Sequence, residues 1–198
     1  MLRVAMILSL VLFASFASAG QFNAVRNIGD AAPAWNDLPG TDGKKHSLID
    51  LQKKVVVVVF TCNTCPIAAD YQDRIIALAK KYAERIDVVA INVNRVPEDS
   101  LEKMKIRAEE KHFPFPYLFD ESQQIAKDYG AAFTPEFFVL GPDRKIVYMG
   151  GMDDNSNAAD VKVQYLGPAV EAALNDTKPA VAEAVARGCR IRFARERR

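Results

Sequence analysis

Val55-Val56-Val57-Val58-Val59-Phe60 offers no polar side chain to place in water. Side chains alternate across a strand, so a strand without a polar residue must be covered on both faces. Five successive β-branched residues disfavour a helix and suit the middle of a parallel sheet. Directly after this run comes Cys62-Asn63-Thr64-Cys65-Pro66. Pro is well placed in the first turn of a helix, where its missing N–H removes no hydrogen bond. Two thiols three residues apart therefore stand where a buried strand hands over to a helix.

That position favours thiol–disulfide chemistry. The positive end of a helix dipole stabilises a thiolate by about 0.3–1 kcal/mol, and by up to about 2 in a sheltered site. By itself this brings a thiol from about 8.5 to between roughly 7 and 8. Backbone N–H groups or the second thiol must supply the rest. The outer sulfur, Cys62, is expected to attack and the inner one, Cys65, to resolve. A structural disulfide or half of a zinc site would use the same spacing. Zinc requires a second ligand pair, for which only His112 and Cys189 follow in the chain.

Residues 1–19 read as an export signal: Arg3, the apolar stretch Val4 to Phe16, then Ala17-Ser18-Ala19 before Gly20. A periplasmic or extracellular location follows, with membrane anchoring as the alternative if the signal is not cleaved. In such a compartment a disulfide persists, and its reduction calls for a dedicated electron donor. The chain carries 26 basic and 25 acidic residues, a balance that argues against nucleic-acid binding. Arg187, Arg190, Arg192, Arg195, Arg197 and Arg198 crowd the C-terminus with Glu196 among them. A solvated basic tail over residues 179–198 is expected, without membrane contact.

Residues 20–178 read as one α/β domain. Asp42-Gly43 marks an N-terminal hairpin before the valine strand. Helical periodicity runs from Ala69 to Glu84, Asp87 to Val93 is a second buried strand, and Pro97 and Ser100 open a polar helix through Ala108. A short strand, Phe115 to Phe119, precedes a helix from Gln123 to Tyr129 that Gly130 closes. Glu136–Leu140 and Lys145–Met149 form a hairpin about Gly141-Pro142-Asp143-Arg144, and Val161 to Asn175 is a final amphipathic helix. The alternation followed by a hairpin predicts a mixed central sheet flanked by helices.

Three features together resemble the thioredoxin-like superfamily, in its redoxin branch of peroxiredoxin-like and exported thiol–disulfide proteins. They are Cys62-x-x-Cys65-Pro66 after the valine strand, Phe133-Thr134-Pro135-Glu136-Phe137, and Gly29-Asp30-x-Ala32-Pro33 with Asp42-Gly43-Lys44. The similarity runs from about Gly29 to Asn175. The resemblance implies a cis peptide at Pro135 facing the cysteines, with Thr134 and Pro135 shaping a groove for an extended substrate. It implies disulfide exchange with protein or small-molecule disulfides, with peroxide reduction as the alternative reaction. It implies no cofactor and no resident metal. Departures from the superfamily patterns are Thr61 ahead of the first Cys, Asn63-Thr64 between the two, no acid within Val55–Val59, and no Pro ahead of Cys62. Cys62 standing where peroxiredoxins have Thr would make Cys65 the sulfur that meets peroxide. Exported copper-delivery proteins of the same fold are the non-enzymatic alternative, since thiolates suit Cu(I); His112 or His46 would have to complete their site.

Cys189, in Gly188-Cys189-Arg190-Ile191, leaves an odd thiol. It is a candidate third redox thiol reaching the Cys62–Cys65 pair from the tail. An inert thiol or a bridge between chains are the alternatives.

Overall fold

The computed structural model describes residues 20–194; the expected export signal, residues 1–19, lies outside them, as do Arg195, Glu196, Arg197 and Arg198. A small hairpin, β1 (Leu38–Pro39) and β2 (Lys45–His46), precedes β3 (Val55–Phe60). Then follow α1 (Pro66–Lys81), β4 (Ile86–Asn92), α2 (Leu101–Lys111), β5 (Tyr117–Phe119) and α3 (Gln124–Tyr129). The second half holds β6 (Phe133–Thr134), β7 (Glu136–Leu140), β8 (Ile146–Gly150), α4 (Leu166–Leu174) and β9 (Cys189–Arg190). The central sheet has the order β5-β4-β3-β7-β8. β3 runs parallel to β4, and β4 to β5, whereas β7 is antiparallel to both β3 and β8. This is the mixed sheet of a thioredoxin-like α/β fold.

β3 lies at the centre of that sheet and every one of its residues is buried. Its alternation sorts the valines into two cores. Val55, Val57 and Val59 pack with Tyr71 and Ile75 of α1 and with Leu166, Ala169 and Val170 of α4. Val56, Val58 and Phe60 pack on the other side with Trp35, Leu48, Tyr129 and Phe138. The N-terminal extension and α3 thus cover the face that α1 and α4 leave open. Phe60, Tyr129 and Phe138 meet edge-on, with centroids 5.0 to 5.8 Å apart.

Two expectations shift in the structure. The last helix begins at Leu166, not Val161; a 3-10 turn, Ala158–Asp160, comes before it. Starting there places Pro168 in the first turn, where its absent N–H has no intrahelical acceptor to lose. The larger difference concerns the tail. Residues 179–194 do not stand off as a solvated segment: Ala184, Ala186 and Ile191 are buried, Ile191 within the second core. Arg187, Arg190 and Arg192 keep their exposure, so the charges stay in water while the backbone and apolar side chains dock.

Candidate active site

α1 begins at Pro66, with Cys65 as its N-cap, and Ala68 N–H donates to Cys65 Sγ at 3.3 Å. A sulfur in the N-cap position takes up one of the orphan donors of the first turn. Opposite stands the loop between β6 and β7, whose Thr134-Pro135 peptide is cis. Thr134 O lies 3.0 Å from Cys65 Sγ, and Thr134 Oγ1 lies 3.4 Å from Cys62 Sγ. Cys62 Sγ also approaches the Thr64 hydroxyl at 3.8 Å. The structure therefore brings Cys62, Cys65, Thr134 and Pro135 to one place. Cys189 joins them, packed against the cluster formed by Cys62, Cys65 and Ala68. All three cysteines are thiols here.

The two sulfurs differ in their hydrogen-bond partners, and the difference favours negative charge on Cys65 over Cys62. Cys65 is pulled below the ordinary cysteine value, first by the neighbouring Cys62 thiol, with further help from Cys189, Ala68 N–H and the Thr134 hydroxyl against the opposing effect of burial. Cys62 is pushed up, first because it gives its proton to Cys65, then by burial and by the nearby Asp99 carboxylate. Two sulfurs this close titrate as a pair. The difference is local: Cys65 caps the helix and accepts an N–H donor, whereas Cys62 has, besides Cys65, the Thr64 and Thr134 hydroxyls. When Cys65 is protonated, its S–H has Thr134 O as acceptor.

Nor is Cys62 an exposed outer sulfur: it shows 1% of its surface and Cys65 shows 2%. Both nevertheless line an open groove of about 690 Å³, flanked by Arg95, Arg190, Arg192 and Glu98. His46 hydrogen-bonds Asp42 at 3.0 Å in the N-terminal hairpin, and His112 caps the C-terminus of α2. Neither is among the described residues lining that groove.

Two buried carboxylates position the loops, and sequence reading assigned a role to neither. Asp99, with 0% exposure, accepts Asn63 N–H at 2.6 Å and the Thr64 hydroxyl at 2.6 Å, which clamps both residues between the cysteines. Asn92 and Asn94 donate to the same carboxylate at 3.1 and 3.2 Å. A buried charge is tolerable when its lone pairs are satisfied in this way. Nothing in the local pattern marked Asp99, which reads as an ordinary acid ahead of a helix. Glu136 follows the cis proline, and its Oε2 accepts Ala132 N–H and Phe133 N–H at 2.8 and 3.0 Å, closing the loop on itself. Here a signal existed: one acid heading the apolar run Phe137-Phe138-Val139-Leu140.

Residues 28–149 match the AhpC/TSA family. The chain belongs to that family. Among solved structures, this AhpC/TSA member is similar to an uncharacterised conserved protein from Geobacillus kaustophilus. The two share 35% identity over 86% of this chain and 94% of that one, with a TM-score of 0.81. A hypothetical protein from Sinorhizobium meliloti 1021 shares 32% identity over 85% of this chain and 96% of its own, with a TM-score of 0.80. The thioredoxin-like protein YneN of Bacillus subtilis (strain 168) is 30% identical over 112 residues, which are 57% of this chain and 64% of that relative. The match thus spans less than two thirds of the curated relative's length.

Asp99→Asn turns an amide NH2 toward donors that now meet a carboxylate oxygen. It is expected to cost about 1–3 kcal/mol, read as a lower denaturant midpoint at unchanged slope. Glu136 supplies a pH dependence. Burial raises its pKa from 4.5 to about 6 against the pull of the Ala132 and Phe133 N–H groups. The fold thus favours the neutral carboxyl, so this contribution is complete below the unfolded value of 4.5 and is lost as pH rises through about 6. Relative to Glu136→Gln, the wild-type chain should lose about 2 kcal/mol of stability across that window; parallel stability curves for the two chains would contradict this.

Proposed function

We propose that this protein is an exported thiol–disulfide oxidoreductase working through Cys62 and Cys65. The observation that carries the reading is a helix-capping Cys65 sulfur that accepts Ala68 N–H, packed beside its partner thiol and facing the cis Thr134-Pro135 loop. Cys65 thiolate attacks one sulfur of a substrate disulfide. A mixed disulfide forms, and the other substrate sulfur leaves as a thiolate that takes up a proton. Cys62 then gives up its proton and attacks Cys65 Sγ, which forms the Cys62–Cys65 bond and expels the second substrate thiolate. Two thiols of the chain are oxidised as one substrate disulfide is reduced, and the same steps run backwards when the chain acts as oxidant. Substrates are protein or small-molecule disulfides, and a separate electron donor or acceptor restores the chain. Cys65 takes the attacking role, in place of the expected Cys62, because it holds the first-turn N–H donor that favours its thiolate.

The same charge supports peroxide reduction as a second reading. Cys65 thiolate would attack a peroxide oxygen, releasing water or an alcohol and leaving a sulfenic acid. Cys62 would condense with it to the disulfide, with loss of water.

Thiolate absorbance in the ultraviolet should show a first step below the ordinary cysteine range in the wild-type chain and lose that step in Cys65→Ser. A chain with both Cys62→Ser and Cys189→Ser should trap a mixed disulfide on Cys65 when mixed with a protein disulfide. If the label is found on neither Cys65 nor Cys62 in the corresponding variants, the exchange reading fails. Hydrogen peroxide consumed stoichiometrically, with a trappable sulfenic acid on Cys65 and no disulfide turnover, selects the second reading. Export rests on the composition of residues 1–19. The chain recovered outside the cytosol should begin at Gly20, and recovery of an uncleaved chain in the membrane fraction would select anchoring.

A further inference from the structure

The groove edge expected to receive an extended substrate is already filled, and by this chain. β9 pairs antiparallel with β6, with Cys189 directly opposite Thr134. Around that pair the docking is specific. Ile191 N–H donates to Ala132 O at 2.9 Å, and the Thr134 hydroxyl faces Cys189 O at 3.4 Å. The buried Gln123 side chain donates to Arg192 O at 3.1 Å and accepts Ala194 N–H at 2.7 Å. Gly188 makes the approach feasible: a Cβ there would come within 2.1 Å of Thr134 O. The Cys189 thiol packs against the cluster of Cys62, Cys65 and Ala68, and it is partly exposed where the other two sulfurs are buried.

We propose that Gly188–Ile191 is a built-in substrate strand and that Cys189 is a third redox thiol, exchanging with Cys65 to carry the disulfide from the buried pair to the surface. The proposal rests on the thiol–disulfide reading above, which supplies the Cys62–Cys65 disulfide. Cys189 thiolate attacks Cys65 Sγ. The Cys65–Cys189 bond forms as the Cys62–Cys65 bond breaks, and Cys62 leaves as a thiolate that takes up the proton Cys189 gave away. No electrons enter or leave the chain in this step. An external dithiol then reduces the bridge at Cys189, which is oxidised to its own disulfide in turn.

The direction of exchange follows from charge. Cys189 is held up at about 11 by burial first, and then by its hydrogen bond to Cys65 and the negative charge there. Once Cys65 is bound in a disulfide that charge is gone. Ile67 N–H and the Arg192 guanidinium, which favour the Cys189 thiolate, remain. Oxidation of the buried pair thus relieves the part of the upward push on Cys189 that comes from Cys65, while burial remains. Tethering adds to this, since a docked sulfur acts at an effective concentration on the order of millimolar or above.

Diamide oxidation of full-length Cys62→Ser, followed by non-reducing peptide mapping, tests the step. The expected result is a Cys65–Cys189 bridge within one chain and loss of both alkylatable thiols. Two thiols that both stay alkylatable, or Cys189 bridged between chains, would overturn it. The wild-type chain is mapped in parallel. A Cys62–Cys65 bridge there, with no bridge in Cys62→Ser, defeats the relay alone; no intramolecular bridge in either chain defeats the exchange reading too. Gly188→Val guards against misfolding of the Ser variant, because its side chain would drive β9 off Thr134. In the reduced chain it should speed iodoacetamide labelling of Cys62 and Cys65, and after oxidation it should leave Cys62–Cys65 as the bridge with Cys189 alkylatable. Unchanged labelling, or a persistent bridge to Cys189, would show that the strand does not govern the site.

Discussion

Complete burial of β3 on both faces is the constraint from which the rest of the architecture follows, because a strand with apolar side chains on each side needs two separate cores. One is built with α1 and α4 and the other with α3, Trp35 and Leu48. The strand is also hydrogen-bonded along both edges, by β4 and by β7. Its C-terminal end therefore cannot shift, and the loop it releases begins from a fixed point. Cys62 leaves that point, Cys65 caps the helix that follows, and β7 brings the Thr134-Pro135 loop up beside them. The same rigidity that makes the sheet stable holds the sulfurs within hydrogen-bonding distance of Thr134.

Around this apolar frame, polar groups do the finer positioning at a cost that only satisfied hydrogen bonding can meet. Isolated burial of a carboxylate is prohibitive. Asp99 avoids this by taking donors from Asn63, Thr64, Asn92 and Asn94. Glu136 has two backbone donors, and burial still keeps its carboxyl easier to protonate than in water. Both acids act on loop backbone and not on a substrate. Asp99 also disfavours a second negative charge at Cys62. A docked tail then completes the enclosure, so the chemistry of this site is bound up with a segment more than a hundred residues away in sequence.

Legibility in the sequence tracked how local each cause was. The valine strand, the Cys65-Pro66 helix start, the Gly130 cap and the Gly141–Arg144 turn each depend on neighbours a few residues apart, and each is present. The start of α4 was misplaced by periodicity because apolar residues from Val161 onward continue the pattern, while Pro168 can be accommodated only near a first turn. Asp99 was illegible: its partners come from β4, the loop after it and the cysteine loop, and no spacing in the chain announces them. The two-residue strands β6 and β9 exist only as each other's partner.

From residue order alone came the α/β class, the sulfur pair at a strand–helix junction and an odd thiol near the C-terminus, whereas the proline loop across from the pair was expected from the family resemblance. Periodicity, turn chemistry and short-range capping carry that information, since they act within one or two turns of chain. Tertiary structure alone decided that residues 179–194 dock through β9, that Cys189 packs against the cluster of the other two cysteines, and that Asp99 clamps the loop between them. Those outcomes depend on backbone edges and buried donors that distant segments bring together, and chain order does not encode such distances locally.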